Sequence, residues 1–264
     1  MPEDYYAPPP PRKGSSLKLV LAAVLLAFVG GAGLIGYLAW TGQIELERTV
    51  SAPQPAASLP APASAHALDL RSMDSITRCQ DEVLTRWGRM DILVNNAAVG
   101  SATAATYSAK TFAQDTSMLL INADGSLKMC QAFLERMQDR AGDGALKIIN
   151  FSSVGGGLQA FPGFRISDGM SKAAVSHLTR QLAAELAFSP VDVFAICPGA
   201  TNTPMFQAST LNPLTPEQRA EFIASLPKHR LIEPAEIANL VAFLASGYST
   251  PMHGAVIDAS MGLG

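Results

Sequence analysis

The chain has 264 residues, 48% hydrophobic and 16% charged, with 19 Lys or Arg against 22 Asp or Glu. That balance excludes a mainly disordered polymer, and a formal net charge of −3 leaves no electrostatic footprint for nucleic acid. Cys79, Cys130 and Cys197 lie far apart without a CxxC pair, which excludes a disulfide framework or a zinc knuckle and suits buried, reduced thiols.

Residues 1–18 form a polar, proline-rich tail that carries Arg12, Lys13 and Lys18. Leu19 to Trp40 is a run of 22 residues without a charge, within a segment of 19–43 read as a transmembrane helix. At about 1.5 Å per residue such a run crosses a hydrocarbon core of about 30 Å, and it exceeds the length of a signal-peptide core. Tyr37 and Trp40 stand where aromatic rings favour the interface, and the basic flank places the N-terminus in the cytoplasm with the rest outside. Ala23, Ala27 and Gly31 form a small-residue stripe that suits helix pairing or chance equally well. Gly31-Ala-Gly33-Leu-Ile-Gly36 spells G-x-G-x-x-G, but apolar chain and then proline follow it where a dinucleotide fold needs an amphipathic helix. Residues 44–66, with Pro53, Pro55, Pro60 and Pro62 among alanines and serines, read as an extended linker.

From about Ala67 the pattern alternates. Helical spacing over 75–87 (Ile76, Val83, Leu84, Trp87) precedes a short apolar run at 91–95. A long helix over 111–140, a strand at 147–151, an alanine-rich helix over 171–187 and a strand at 191–196 follow. A helix over 234–246 and a last strand at 255–258 close the chain. Strands that are apolar throughout, separated by helices, predict an α/β fold with a doubly wound parallel sheet.

The series Asp91-Ile-Leu-Val-Asn95-Asn96-Ala97-Ala98, Asn122, Asn150-Phe-Ser152-Ser153, Ser171-Lys172-Ala173-Ala174 and Cys197-Pro198-Gly199-Ala-Thr-Asn-Thr203 resembles the short-chain dehydrogenase/reductase family. The tail Arg230-Leu-Ile-Glu-Pro-Ala-Glu236 is similar to its 3-oxoacyl-reductase type, and the resemblance runs over 67–264. It implies a Rossmann-like sheet, NAD or NADP as cofactor, and hydride transfer to or from a carbonyl or alcohol. It further implies that Asn95, Asn96 and Ala97 line the adenosine and ribose and that Asp69-Leu70 touches adenine. Pro198, Gly199 and Thr203 would border the nicotinamide carboxamide. Asn122, Ser153 and Lys172 match three members of a catalytic tetrad, Lys172 also being expected on the cofactor. Taken singly, Asn95 and Asn122 suit plain backbone satisfaction and Pro198-Gly199 a plain turn; the ordered series favours the site. Family members also assemble through the two long helices, 111–140 and 171–187 here, so a homo-oligomer is expected. The segment 206–226 resembles the family's substrate lid.

Two departures shape the functional expectation. Asp168 stands four residues before Lys172, where the family has tyrosine, and the stretch from Ser153 is slightly longer than its norm. An aspartic acid has a reference pKa near 3.9, and a neighbouring ammonium is expected to lower it; acid catalysis at neutral pH would need a rise of about three units, roughly 4 kcal/mol. Asp168 is therefore read as a helix cap or as a partner of Lys172 across one turn. Ser167 is a hydroxyl in the wrong register, and Tyr107-Ser-Ala-Lys110 has one residue too few to mimic the motif. The second departure is the missing half: no GxxxGxG turn precedes Asp69, so the sheet is expected to be incomplete. These features suggest two halves of separate histories joined in one chain. The expectation is an NAD(P)-dependent oxidoreductase by descent, impaired as written, or alternatively a non-catalytic, membrane-tethered interaction or oligomerisation module.

Overall fold

The computed structural model describes residues 64–101, 111–137, 146–162 and 164–264. The apolar run 19–40, its glycine series, most of the linker and Tyr107–Lys110 lie outside these residues. No helix among the described residues is long and apolar enough to cross a membrane.

An extended lead enters α1 (Met73–Trp87), whose N-terminus is capped by Ser72 and whose C-terminus ends on Gly88 at φ 74°. β1 (Ile92–Asn95) follows, then α2 (Thr111–Met118), a π-helical segment (Leu119–Asp124) and α3 (Gly125–Met137). β2 (Leu146–Phe151) leads through one irregular turn, α4 (Val154–Gly157), to α5 (Ile166–Glu185). β3 (Val191–Pro198), α6 (Pro204–Phe206), α7 (Pro216–Ser225), α8 (Pro234–Ala245) and β4 (Val256–Ala259) complete the order. The strands form one parallel sheet in the order β1-β2-β3-β4, with Leu93 opposite Ile148 and Ile148 opposite Val193.

Two apolar cores flank the sheet, because successive side chains of a strand point to opposite faces. Leu93, Ile148 and Val193 meet Ile76, Cys79, Met129, Phe133 and Leu182 on one face. Ile149, Phe151, Phe194 and Ile196 meet Ile237, Val241 and Leu244 of α8 on the other. β2 is buried at all six positions, as expected of a central strand covered on both faces. Cys79, Cys130 and Cys197 are free and buried, and burial pushes the Cys79 and Cys130 thiols up to about 12.

One buried polar cluster interrupts this pattern at the base of β2 and β3. Lys147 is 1% exposed, and its Nζ donates to Asp192 Oδ2 (2.5 Å), Ser249 Oγ and Thr250 Oγ1 (3.2 Å each). Thr250 Oγ1 also donates to Asp192 (2.7 Å). The His253 Nδ1 accepts from the Val193 amide (3.2 Å), so its Nε2 carries the proton donated to the Ala183 carbonyl (2.8 Å).

Several boundaries differ from the sequence expectation. The 111–140 helix is broken by the π segment, and α5 begins at Ile166, five residues ahead of the predicted start. The cap of α5 is Arg165, which places Asp168 inside the first turn and not at the cap.

Candidate active site

The sequence-predicted catalytic residues gather at the C-terminal ends of the parallel strands, where open α/β sheets bind ligands. β2 ends at Phe151 and delivers Ser152 and Ser153; Ser153 has extended backbone, and its Oγ accepts from the Gly155 amide (3.1 Å). Ser152 Oγ donates to the Lys172 carbonyl (2.8 Å) and accepts from Ser176 Oγ (2.9 Å), which locks α5 to the strand end. The close approach of α4 and α5 depends on Gly156 at φ +89°, where a Cβ would lie 2.2 Å from the Gly169 carbonyl oxygen.

Asn122 sits in the π-helical segment, a device that re-aims a side chain by one extra residue per turn. Its Oδ1 accepts from the Val99 amide (2.8 Å), while its Nδ2 donates to the Val99 carbonyl (3.0 Å) and to Ser171 Oγ (3.1 Å). Ser171 Oγ in turn donates to the Asp168 carbonyl (2.8 Å). A single hydrogen-bonded chain thus runs from the loop after β1, through Asn122, to the first turn of α5.

Lys172 is half-buried, and its Nζ donates to the Phe151 carbonyl (3.1 Å). Burial pulls its amine below the usual lysine range, against opposing effects from Asp168 and Cys197. Asp168 is also half-buried, and here the sequence expectation is reversed. Burial raises its carboxyl above the usual range, although Lys172 and Arg165 pull the other way. Among the described residues no ion pair forms between Asp168 and Lys172, and the Asp168 carboxylate accepts no hydrogen bond. The lysine's proton is spent on the strand carbonyl, while the carboxyl stays half-exposed at the start of α5.

The cofactor-side residues divide. Asn95 is 9% exposed, and its Nδ2 donates to Asn150 Oδ1 (2.9 Å) and Cys130 Sγ (3.3 Å), so its side chain knits β1 to β2 and α3. Asn150 passes the network on to Thr179 of α5 (2.9 Å). Asn96 and Ala97 are half-buried at the strand end. Leu70 is 5% exposed in the core, where a Cβ at Gly125 would lie 2.8 Å from its own Cβ. Asp69 is gripped by Arg71 through the backbone amide (2.9 Å), Nε (2.9 Å) and a terminal nitrogen (2.7 Å), and this guanidinium holds its carboxyl below the usual range. Pro198 ends β3; a Cβ on Gly199 would approach the Ser260 Cα at 2.9 Å, so the chain presents bare backbone there. Thr203 caps α6 by accepting from the Phe206 amide (3.2 Å). Met205 Sδ would stand 2.8 Å from a Cβ on Gly100, which rests α6 on the loop after β1.

These residues fit the nicotinamide and ribose end of a dinucleotide: bare backbone at Gly199, half-buried Asn96 and Ala97, and the Lys172 amine. Among the described residues no glycine-rich turn offers a helix N-terminus to a pyrophosphate. Sequence reasoning gives no role to Asn150, Ser152 and Ser171, although they stand in the motif series, and misses Thr179, whose signal is a small polar residue on the buried face of α5. The open groove lined by His66, Asp74, Arg78, Asp81 and Glu82 lies along α1, and the pairs His66–Glu82 and Arg136–Asp81 (2.8 Å each) already engage its walls.

A parallel Rossmann-like sheet with polar residues gathered at its C-terminal edge is the architecture of an oxidoreductase class. The sequence profile described as Enoyl-(Acyl carrier protein) reductase matches residues 39–264, and the chain belongs to the short-chain dehydrogenase/reductase family. It is similar to Oxidoreductase UcpA of Escherichia coli (strain K12), 38% identical over 198 residues and 72% of each chain. It is also similar to 3-oxoacyl-[acyl-carrier-protein] reductase FabG of Thermotoga maritima, 30% identical over 252 residues and 95% of each. Among solved structures, a single-residue variant of actinorhodin polyketide ketoreductase with NADPH superposes with TM-score 0.68 at 27% identity, covering 77% of this chain and 78% of that one. Levodione reductase superposes with TM-score 0.67 at 28% identity, covering 76% and 77%.

Proposed function

We propose that residues 67–264 act as an NAD(P)-dependent oxidoreductase by descent, for carbonyl or 3-oxoacyl reduction or alcohol oxidation, with proton delivery impaired at Asp168. The observation that carries this reading is the intact linkage Val99–Asn122–Ser171 beside Lys172 and Ser153 at the strand ends. The dinucleotide, when bound, supplies the hydride. Asn96, Ala97, Gly199, Thr203 and Lys172 would hold its nicotinamide and ribose portion. Ser153 would donate its hydroxyl hydrogen to a substrate oxygen, and Lys172 would orient a ribose hydroxyl and set the local charge. The missing function is an acid of the right reach: a tyrosine phenol is longer than the Asp168 carboxyl and titrates near 10.

Titration of the chain with NADH and NADPH, followed by nicotinamide fluorescence, tests the reading; micromolar saturation is expected, and no binding by either overturns it. Asp168→Tyr is then expected to raise reduction of a ketone ester such as ethyl acetoacetate by about 10²-fold or more, the usual worth of a positioned acid.

A second reading, a non-catalytic module that associates through its long helices, draws on one surface feature. Phe112 (83% exposed), Leu120 and Leu127 on α2–α3, and Ile166 (79%) and Met170 on α5, leave apolar side chains in water on two neighbouring helices. A second copy of the chain would cover them, and residues 19–40 would hold the assembly at a membrane. Sedimentation of the detergent-solubilised chain distinguishes a monomer from this arrangement.

A further inference from the structure

Lys172 is tied to β2 at both of its ends. Its Nζ donates to the Phe151 carbonyl (3.1 Å), and its own carbonyl accepts from Ser152 Oγ (2.8 Å). Two consecutive residues at the end of one strand thus close a ring through a single lysine. An interior helix carbonyl ordinarily takes the amide four residues on, and Lys172 lies inside α5, so helix formation alone does not call for the Ser152 bond. What that bond adds is orientation. Ser152 is 4% exposed, and it accepts from Ser176 Oγ (2.9 Å), one turn further along α5. Each hydroxyl has one proton, so the order Ser176 to Ser152 to Lys172 aims the Ser152 hydrogen at the lysine carbonyl. A Cβ on Gly157 would lie 2.4 Å from Ser152 Oγ and 3.0 Å from both Ser176 Oγ and Cys197 Sγ. Glycine at 157 therefore leaves the hydroxyl pair in place between β2, β3 and α5.

We infer that Ser152 is a positioning residue: its hydroxyl, aligned by Ser176, pins the Lys172 peptide to the end of β2 and thereby holds the amine against the Phe151 carbonyl beside Ser153. This role deepens the oxidoreductase reading and rests on it for what the amine would meet, a ribose hydroxyl of the dinucleotide. The adjacent serines divide the work by the direction of their protons. Ser153 Oγ accepts from the Gly155 amide (3.1 Å) and keeps a proton to donate to a substrate oxygen, whereas Ser152 commits its proton to α5.

A lysine amine rides on a flexible four-carbon stem, so a fixed position must be imposed on it. Release of the Lys172 peptide lets the stem swing away from Phe151 and brings water to the amine, which burial now pulls below the usual lysine range. Removing the Ser152 hydroxyl is thus expected to return the amine toward the ordinary value near 10.4. Lys147 reports on the sheet as a whole, being 1% exposed at the far end of the same strand. Loss of packing would uncover both lysines, whereas loss of position alters Lys172 alone.

The test is competitive acetylation of the full-length chain in detergent micelles with trace acetic anhydride, read lysine by lysine by peptide mass spectrometry. Labelling is followed from neutral pH to about pH 11, beyond the ordinary lysine midpoint, with exposed Lys228 as reference. In Ser152→Ala the Lys172 midpoint is expected to rise by about half a unit or more while Lys147 stays unlabelled. Ser176→Ala, which leaves the Ser152 bond but not its alignment, is expected to move it the same way by less, and it decides the matter alone should Ser152→Ala not fold. An unmoved Lys172 midpoint, or Lys147 labelled in step with Lys172, overturns the inference. NADPH titration of the same proteins keeps the oxidoreductase reading separate. Ser152→Ala is expected to bind several-fold more weakly than a wild type that binds, and equal affinity also overturns the inference. No NADPH binding by the wild type sinks the oxidoreductase reading alone, since the acetylation result stands without cofactor.

Discussion

Replacing Lys147 with methionine tests how the buried base of the sheet is held. The substitution keeps the apolar stem but removes the ammonium from Asp192, whose side chain is 10% exposed. Asp192 would keep the Thr250 hydroxyl (2.7 Å) but lose the ammonium that pairs with it. Stranding one member of a buried pair costs about 3–5 kcal/mol. For a domain of this size each kcal/mol moves the melting midpoint by about 2–4 °C, so a fall of roughly 6–20 °C is expected. Far-UV circular dichroism melts of the wild type, Lys147→Met and the double variant Lys147→Met/Asp192→Leu read the effect. The double variant is expected to recover most of the loss, since an apolar pair of similar volume replaces a buried ion pair at little cost. A single-variant shift under about 3 °C, or a double variant no better than the single, refutes the reasoning.

Three further outcomes follow from the site. Asn122→Ala removes both hydrogen bonds to Val99 and is expected to cost about 1–3 kcal/mol in urea unfolding and to speed hydrogen exchange at the Val99 amide. Asp168 has a carboxyl raised above 3.8 on folding, so between that value and the folded one the native state holds the extra proton and stability falls as pH rises. Asp168→Asn should abolish this slope and raise the melting midpoint at pH 7 relative to the wild type, read by melts from pH 3 to 7. Gly199→Ala drives a methyl to 2.9 Å from the Ser260 Cα and is expected to loosen the β3–β4 junction by about 1–3 kcal/mol in the same urea assay.

The strands are legible in the sequence because Ile148, Ile149, Val193 and Phe194 are apolar on both faces, a pattern only a covered parallel sheet requires. Helix α1 is legible from the spacing of Ile76 and Val83 and from Gly88, which closes it. The π segment is not, since a stripe of period 3.6 carries no mark of one added residue, and it is this residue that turns Asn122 towards Val99. The early start of α5 escapes detection because Arg165 at its cap makes no capping bond and Gly169 interrupts its first turns. Asp168 misleads for a different reason: the sequence places an ammonium four residues away but does not record how much water the fold removes. Asn95 matches a ribose contact by resemblance, whereas its amide is committed to Asn150.

Lys147 and Asp192 also stand opposite each other in the β2–β3 ladder. A slip of one position would set the ammonium across from Val191 or Val193 and turn every neighbouring side chain to the wrong layer. The ion pair thereby works like the key of a lock, admitting a single alignment of two strands whose remaining apolar residues would tolerate several.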